Sequence, residues 1–193
     1  SLTDVTIGTG VTEIGHGAFR GCTSLRTITI PDNVQYIRGQ AFYGCAYLNS
    51  VTIGNGVTKI NVSAFKGLEN LTSVTFGSEL VTICEGAFQG CKLLRNVEFP
   101  SKLDSIEDFA FNGCEAMTSV VLPDSLHSLG IGVFQGCTAL KTLKTGNGVG
   151  NLSGGRFSNS MDSDYYRNGC FEGCTSLTDV TIGTGVTEIG HGA

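Results

Sequence analysis

The sequence is poor in charge, in histidine and in long apolar runs. Only 15% of its 193 residues are Asp, Glu, Lys or Arg, while 40% are hydrophobic. A disordered chain has the opposite balance, so the composition argues for a folded one. The formal net charge of −5 carries no basic excess, which argues against nucleic acid as a partner. No apolar run approaches the ~20 residues of a membrane helix, so no membrane insertion is expected. No opening Met, signal-peptide pattern or lipidation motif is present, and the expectation is an excised or mature segment. Zinc-type Cys-x-x-Cys pairs are missing, as is the Gly-Lys-Ser/Thr ending of a phosphate loop. No metal or other cofactor is therefore expected.

What is abundant is periodicity. Phe19, Phe42, Phe65, Phe88, Phe111 and Phe134 are each 23 residues apart, and Phe171 follows after 37. Most sit in an Ala-Phe-x-Gly-Cys box, as in Ala41 to Cys45 and Ala87 to Cys91. Upstream of each box is a pair of aliphatics three apart, such as Val34/Ile37, Val57/Ile60 and Leu103/Ile106. Further upstream is a short alternating run, as in Ile28-Thr29-Ile30 and Val51-Thr52-Ile53, closed by Gly or Pro. Apolar-polar-apolar alternation in β-branched residues predicts a half-buried strand. A 23-residue unit cannot bury its apolar residues alone, so stacked units must share one core. The expected fold is a repeat solenoid of about eight coils. One parallel strand per coil is expected on one wall, with short helical turns at the boxes on the other.

The segment Cys22-x-x-Leu25-x-x-Ile28-x-Ile30-Pro31, followed by Val34-x-x-Ile37 and Ala41-Phe42-x-Gly44-Cys45, resembles the BspA-like, or Treponema pallidum type, leucine-rich repeats. The resemblance covers the whole chain except an insertion at 155–168. It implies a curved solenoid on a cell surface or in the extracellular space, working in adhesion or host-protein binding. Residues 1–193 are read as a single repeat array. Residues 176–193 repeat residues 1–18 without a change. That identity suggests a window from a longer array with a 175-residue super-repeat, or a unit of an end-to-end fibre; an engineered construction and a recent duplication of one terminal segment are the other readings.

Eight cysteines would suit a disulfide framework, but six of them share one repeat position that Leu68 also occupies. The favoured reading is a ladder of buried thiols acting as small hydrophobes. Cys84 aligns with Gly15, Arg38 and Asn61, and is the expected exposed thiol. His191 is the copy of His16, and no Ser, His and acid occupy neighbouring repeat positions, so the chain is not expected to be an enzyme.

Candidate binding residues are the exposed strand centres Thr6, Thr29, Thr52, Thr75, Glu98, Lys144 and Thr181. They define a flat, low-charge face that serves β-propensity and solubility, protein binding, or both. The insertion adds Arg156, Tyr165, Tyr166 and Arg167, a composition favoured at binding hot spots. Asp162 and Asp164 are weak calcium candidates. Tyr36, Tyr43 and Tyr47 form a second candidate patch. The leading function is a non-enzymatic protein-binding or adhesive module that takes a host or matrix protein. The alternative is a structural subunit that self-associates end to end into a fibre or surface layer.

Overall fold

The computed structural model describes residues 2–152 and 169–190. Most coils contribute to two ladders. The first holds the alternating runs: β2 (Thr27–Ile30), β4 (Ser50–Ile53) and β6 (Ser73–Thr75) form one parallel sheet. A second sheet of the same kind is built from β9 (Ser119–Val121), β11 (Thr142–Lys144) and β12 (Asp179–Thr181). The other ladder is a six-stranded parallel sheet of two-residue strands. Its members are β1 (Glu13–Ile14), β3 (Tyr36–Ile37), β5 (Lys59–Ile60), β7 (Thr82–Ile83), β8 (Ser105–Ile106) and β10 (Ser128–Leu129). The fold is thus a parallel-strand β-solenoid with two strands in most coils, where the sequence indicated one.

The core repeats with the coils. Leu25, Ile28, Ile30, Val34, Ile37 and Phe42 are all buried, and so are their equivalents one coil on. Phenylalanine rings run through the array as one stack, with centroids 5.0–5.2 Å apart from Phe19 to Phe111. The stack continues at 5.7 Å to Phe134 and 5.6 Å to Phe171. The last step spans the insertion, and its rings remain within 5° of parallel. An insertion is therefore accommodated without loss of register.

The Ala-Phe boxes are turns, and no helix occurs among the described residues. Where their amides point explains why. The Phe42 N–H donates to the Ala64 carbonyl of the next coil at 2.9 Å, and Phe65 N–H does the same to Ala87 at 2.8 Å. Alternate amides close turns within the coil, as in Cys45 N–H to Phe42 O at 3.2 Å. A helix needs every amide for its own i−4 carbonyl; here half of them hold the neighbouring coil. The box glycine adopts φ of 71–75° at Gly21, Gly44, Gly67, Gly90, Gly113, Gly136 and Gly173, the left-handed region where a side chain is strained.

The first ladder is interrupted at residues 96–98. There the Asn96 side chain replaces a backbone acceptor: Oδ1 takes the N–H groups of Thr118 and Ser119 at 3.0 and 2.9 Å. In regular coils these amides go to a main-chain carbonyl, as Thr72 and Ser73 N–H go to Asn49 O. The break coincides with Phe76 and Phe99, which stand where other coils carry Ile30, Ile53 or Leu122 and meet the ring stack edge-on.

Candidate functional site

All eight cysteines are free thiols. The ladder cysteines donate weakly to the carbonyl of the preceding coil's phenylalanine: Cys45 to Phe19 O at 3.0 Å, Cys91 to Phe65 O at 3.2 Å and Cys174 to Phe134 O at 3.3 Å. Burial pushes the Cys45 thiol up to about 11 and Cys91 to about 12, and raises Cys114 well above its ordinary value. These groups are packing elements with suppressed nucleophilicity. Cys84 corrects the sequence expectation. It is 2% exposed, and burial raises it to about 11, with the Glu107 charge adding to the shift. The Lys59 charge, from the preceding coil, acts in the opposite direction.

The strand centres do face solvent. Thr29, Thr52 and Thr75 are exposed and in register, each directly beside the next. Ser50 and Ser73 flank them, with Ser73 Oγ donating to Ser50 Oγ at 3.2 Å. Lys144 and Thr181 are likewise exposed neighbours, joined by Val121, which is 54% exposed. The row therefore comes as two short platforms rather than one strip. Glu98 is exposed in the interruption between them. Thr6 is exposed too, but residues 4–7 form no strand with β2. Between those residues and the edge of β2 lies a groove lined by Asp4, Val5, Thr6, Ile7, Thr27, Thr29 and Pro31. The candidates Arg156, Asp162, Asp164, Tyr165, Tyr166 and Arg167 lie outside the described residues. Among the described residues, no group of three His, Cys, Asp or Glu is placed to hold a metal ion.

The tyrosines are exposed, and each has an arginine over its ring: Arg38 on Tyr36 at 4.9 Å, Arg20 on Tyr43 at 5.2 Å and Arg26 on Tyr47 at 5.7 Å. Arg38 also meets Glu13 at 2.7 Å, and this hydrogen bond holds the Glu13 carboxyl below its ordinary range.

Two features are not evident from the sequence alone. His127 Nδ1 lies 2.8 Å from Asp104 Oδ1, one coil away, both in solvent. The second is a side-chain ladder at the turn after the strands. Asp32 Oδ1 accepts the Asn55 N–H at 2.7 Å, and Asn55 Oδ1 accepts the Ser78 N–H at 2.9 Å. Asp124 and Asn147 repeat the arrangement. Its signal is the recurrence of Asp, Asn and Ser at one repeat position.

Comparison with known proteins gives the same architecture. The BspA type leucine rich repeat region matches in six copies, over residues 1–91, 58–167 and 160–193. The chain is similar in structure to a T. pallidum leucine rich repeat protein, with a TM-score of 0.71 and 28% identity over 81% of this chain and 72% of that one. It also shares its fold with the pneumococcal vaccine antigen PcpA, with a TM-score of 0.59 and 19% identity. That likeness covers 82% of this chain and 45% of PcpA. No curated protein sequence matches the chain significantly.

Proposed function

Because the chain belongs to the BspA type leucine-rich repeat family, we propose that it is a non-enzymatic binding module, exported or held at a cell surface, that presents its hydroxyl-lined strand face to a protein ligand. The observation that carries this reading is the in-register, exposed row Thr29, Thr52 and Thr75. Such a platform is flat and uncharged, and its short side chains have little entropy to lose on contact. Repeat solenoids commonly use extended faces of this kind for recognition. The test is binding of the chain to immobilised extracellular-matrix proteins, compared with Thr52→Lys and Thr75→Lys variants whose folding is checked by circular dichroism. Loss of at least tenfold in affinity with unchanged folding supports the face. Unchanged affinity would place the binding surface elsewhere.

A second reading, end-to-end self-association into a fibre or layer, is favoured by the identity of residues 1–18 and 176–193.

A further inference from the structure

The repeated segment SLTDVTIGTGVTEIGHGA is used from opposite sides in its two copies. The first copy pairs toward the C-terminus. Glu13 and Ile14 lie beside Tyr36 and Ile37, Thr12 O accepts the Gln35 N–H at 2.8 Å, and Glu13 meets Arg38. The second copy pairs toward the N-terminus. Asp179, Val180 and Thr181 lie beside Thr142, Leu143 and Lys144, and Asn151 Nδ2 donates to Glu188 at 2.8 Å. Thr187 Oγ1 donates to Gly150 O at 3.0 Å, and Thr184 N–H to Asn147 Oδ1 at 2.9 Å. Residue n and residue n+175 are the same amino acid throughout this segment. The two environments are therefore complementary halves of one coil's surroundings.

We propose that two copies of this chain join by segment exchange: residues 2–15 of one chain take the place that residues 177–190 occupy in the other, and the solenoid runs on into Phe19. This gives the self-association reading its geometry, and it rests on that reading.

Three observations favour exchange over simple abutment of the ends. First, the triplet Asp-Val-Thr forms a strand where it meets Thr142–Lys144 and none where it meets β2. A second copy of the chain, joined by exchange, would offer residues 4–6 that strand-forming partner, Thr142–Lys144. Second, Gly8 and Gly10 have open space around the position of a Cβ. Their twins Gly183 and Gly185 lie with that position against the carbonyls of Gly146 and Asn147. The first copy already carries the bare backbone that the joint requires. Third, in-register abutment would set Asp179 beside Asp4 and Glu188 beside Glu13. Like charges directly opposite on neighbouring strands are destabilising. Exchange instead places Glu13 between Asn151 of one chain and its own Arg38.

The contacts broken and made in the exchange are the same, so contact energy is balanced. Freedom gained by the displaced segment 177–190 opposes the translational freedom lost on joining. The joint is therefore concentration-dependent, and it forms slowly because the terminal coil must open first.

The test uses the full chain with paired cysteines under mild oxidation, read by non-reducing electrophoresis. Lys144→Cys with Thr6→Cys reports exchange, because Thr6 then sits where Thr181 now pairs with Lys144. Thr6→Cys with Thr181→Cys reports abutment. Neighbouring strands in register are ~4.8 Å apart, within disulfide reach. Thr29→Cys with Thr52→Cys, neighbours within the chain, shows that the oxidation closes a ladder pair. The expected result is a series of covalent multimers from the 144/6 pair, at least tenfold above either single variant and above the 6/181 pair. Multimers from the 6/181 pair alone would overturn exchange but leave end-to-end association standing. Monomers from both pairs, with the 29/52 bond closed, would overturn both.

Discussion

The ring stack sets the sharpest test of how coils cohere. Phe88 is fully buried, stacked 5.2 Å from both Phe65 and Phe111 and touched edge-on by Phe76 at 5.8 Å. Among the described residues Phe19 has one ring neighbour, Phe42, and it is only partly buried. Truncating a buried Phe to Ala costs about 3–5 kcal/mol, transfer and cavity together. Phe88→Ala is expected at the top of that range, since three aromatic contacts vanish at once. Phe19→Ala is expected at about half as much, because part of its surface is already hydrated. For a chain of this size, about 4 kcal/mol lowers Tm by roughly 8–16 °C. The consequences also differ in kind. Each coil touches only its neighbours, so a defect at Phe88 uncouples two halves of the array, whereas one at Phe19 frays an end. Urea titration followed by circular dichroism reads both effects. Phe88→Ala should lower the midpoint and broaden the transition; Phe19→Ala should lower the midpoint less and leave the slope unchanged. Equal losses in the two variants, or a loss below about 1 kcal/mol for Phe88→Ala, would show that the stack does not carry the cohesion.

Other predictions concern the thiols and one buried hydroxyl. Native-state labelling at pH 8 should modify the partly buried Cys22 first and leave Cys84 and Cys91 protected; fast labelling of Cys84 would contradict its burial. The thiols whose values are raised on folding stabilise the fold fully below the ordinary thiol range near 9. That contribution is lost as pH rises from about 9 through 11–12, so the urea midpoint should fall over that window, and less steeply for Cys91→Ala. Thr145, buried where other coils have Ile, Phe or Leu, accepts the Gly183 N–H through Oγ1 at 2.7 Å. Thr145→Val should strand that amide at a cost of about 1–3 kcal/mol, seen as faster hydrogen exchange at Gly183, and unchanged protection there would refute it.

The 23-residue spacing makes the core legible in the sequence. Phe42, Phe65, Phe88 and Phe111, the pairs Val34/Ile37 and Val57/Ile60, and the leading Leu25, Leu48 and Leu71 are all buried as their periodicity requires. Strands are legible where alternation spans four residues, as in Thr27–Ile30. The second ladder is not, because two-residue strands such as Tyr36–Ile37 are too short to alternate. The boxes read as helical because their composition does not reveal that Phe amides point sideways to the next coil. Cys84 reads as exposed because its repeat equivalents Gly15, Arg38 and Asn61 are Gly or polar, yet the thiol itself is 2% exposed. The exposed threonines are legible from strand parity alone. That their row divides at residues 96–98 depends on one asparagine side chain taking over a backbone role.

The regular ladder spacing also sets how the chain finds its fold. Thr29 meets Thr52 and Thr52 meets Thr75, so each closure spans 23 residues, a relative contact order of about 0.12, in the range of mixed α/β domains rather than β-sandwiches. The first closure is the costly one; each later coil condenses onto an edge already in place. Only the step from Lys144 to Thr181 spans 37 residues, and the longer loop adds only about 0.4 kcal/mol of closure entropy. Folding can therefore spread outward from whichever pair of coils closes first, and the insertion barely slows its arrival at the last one.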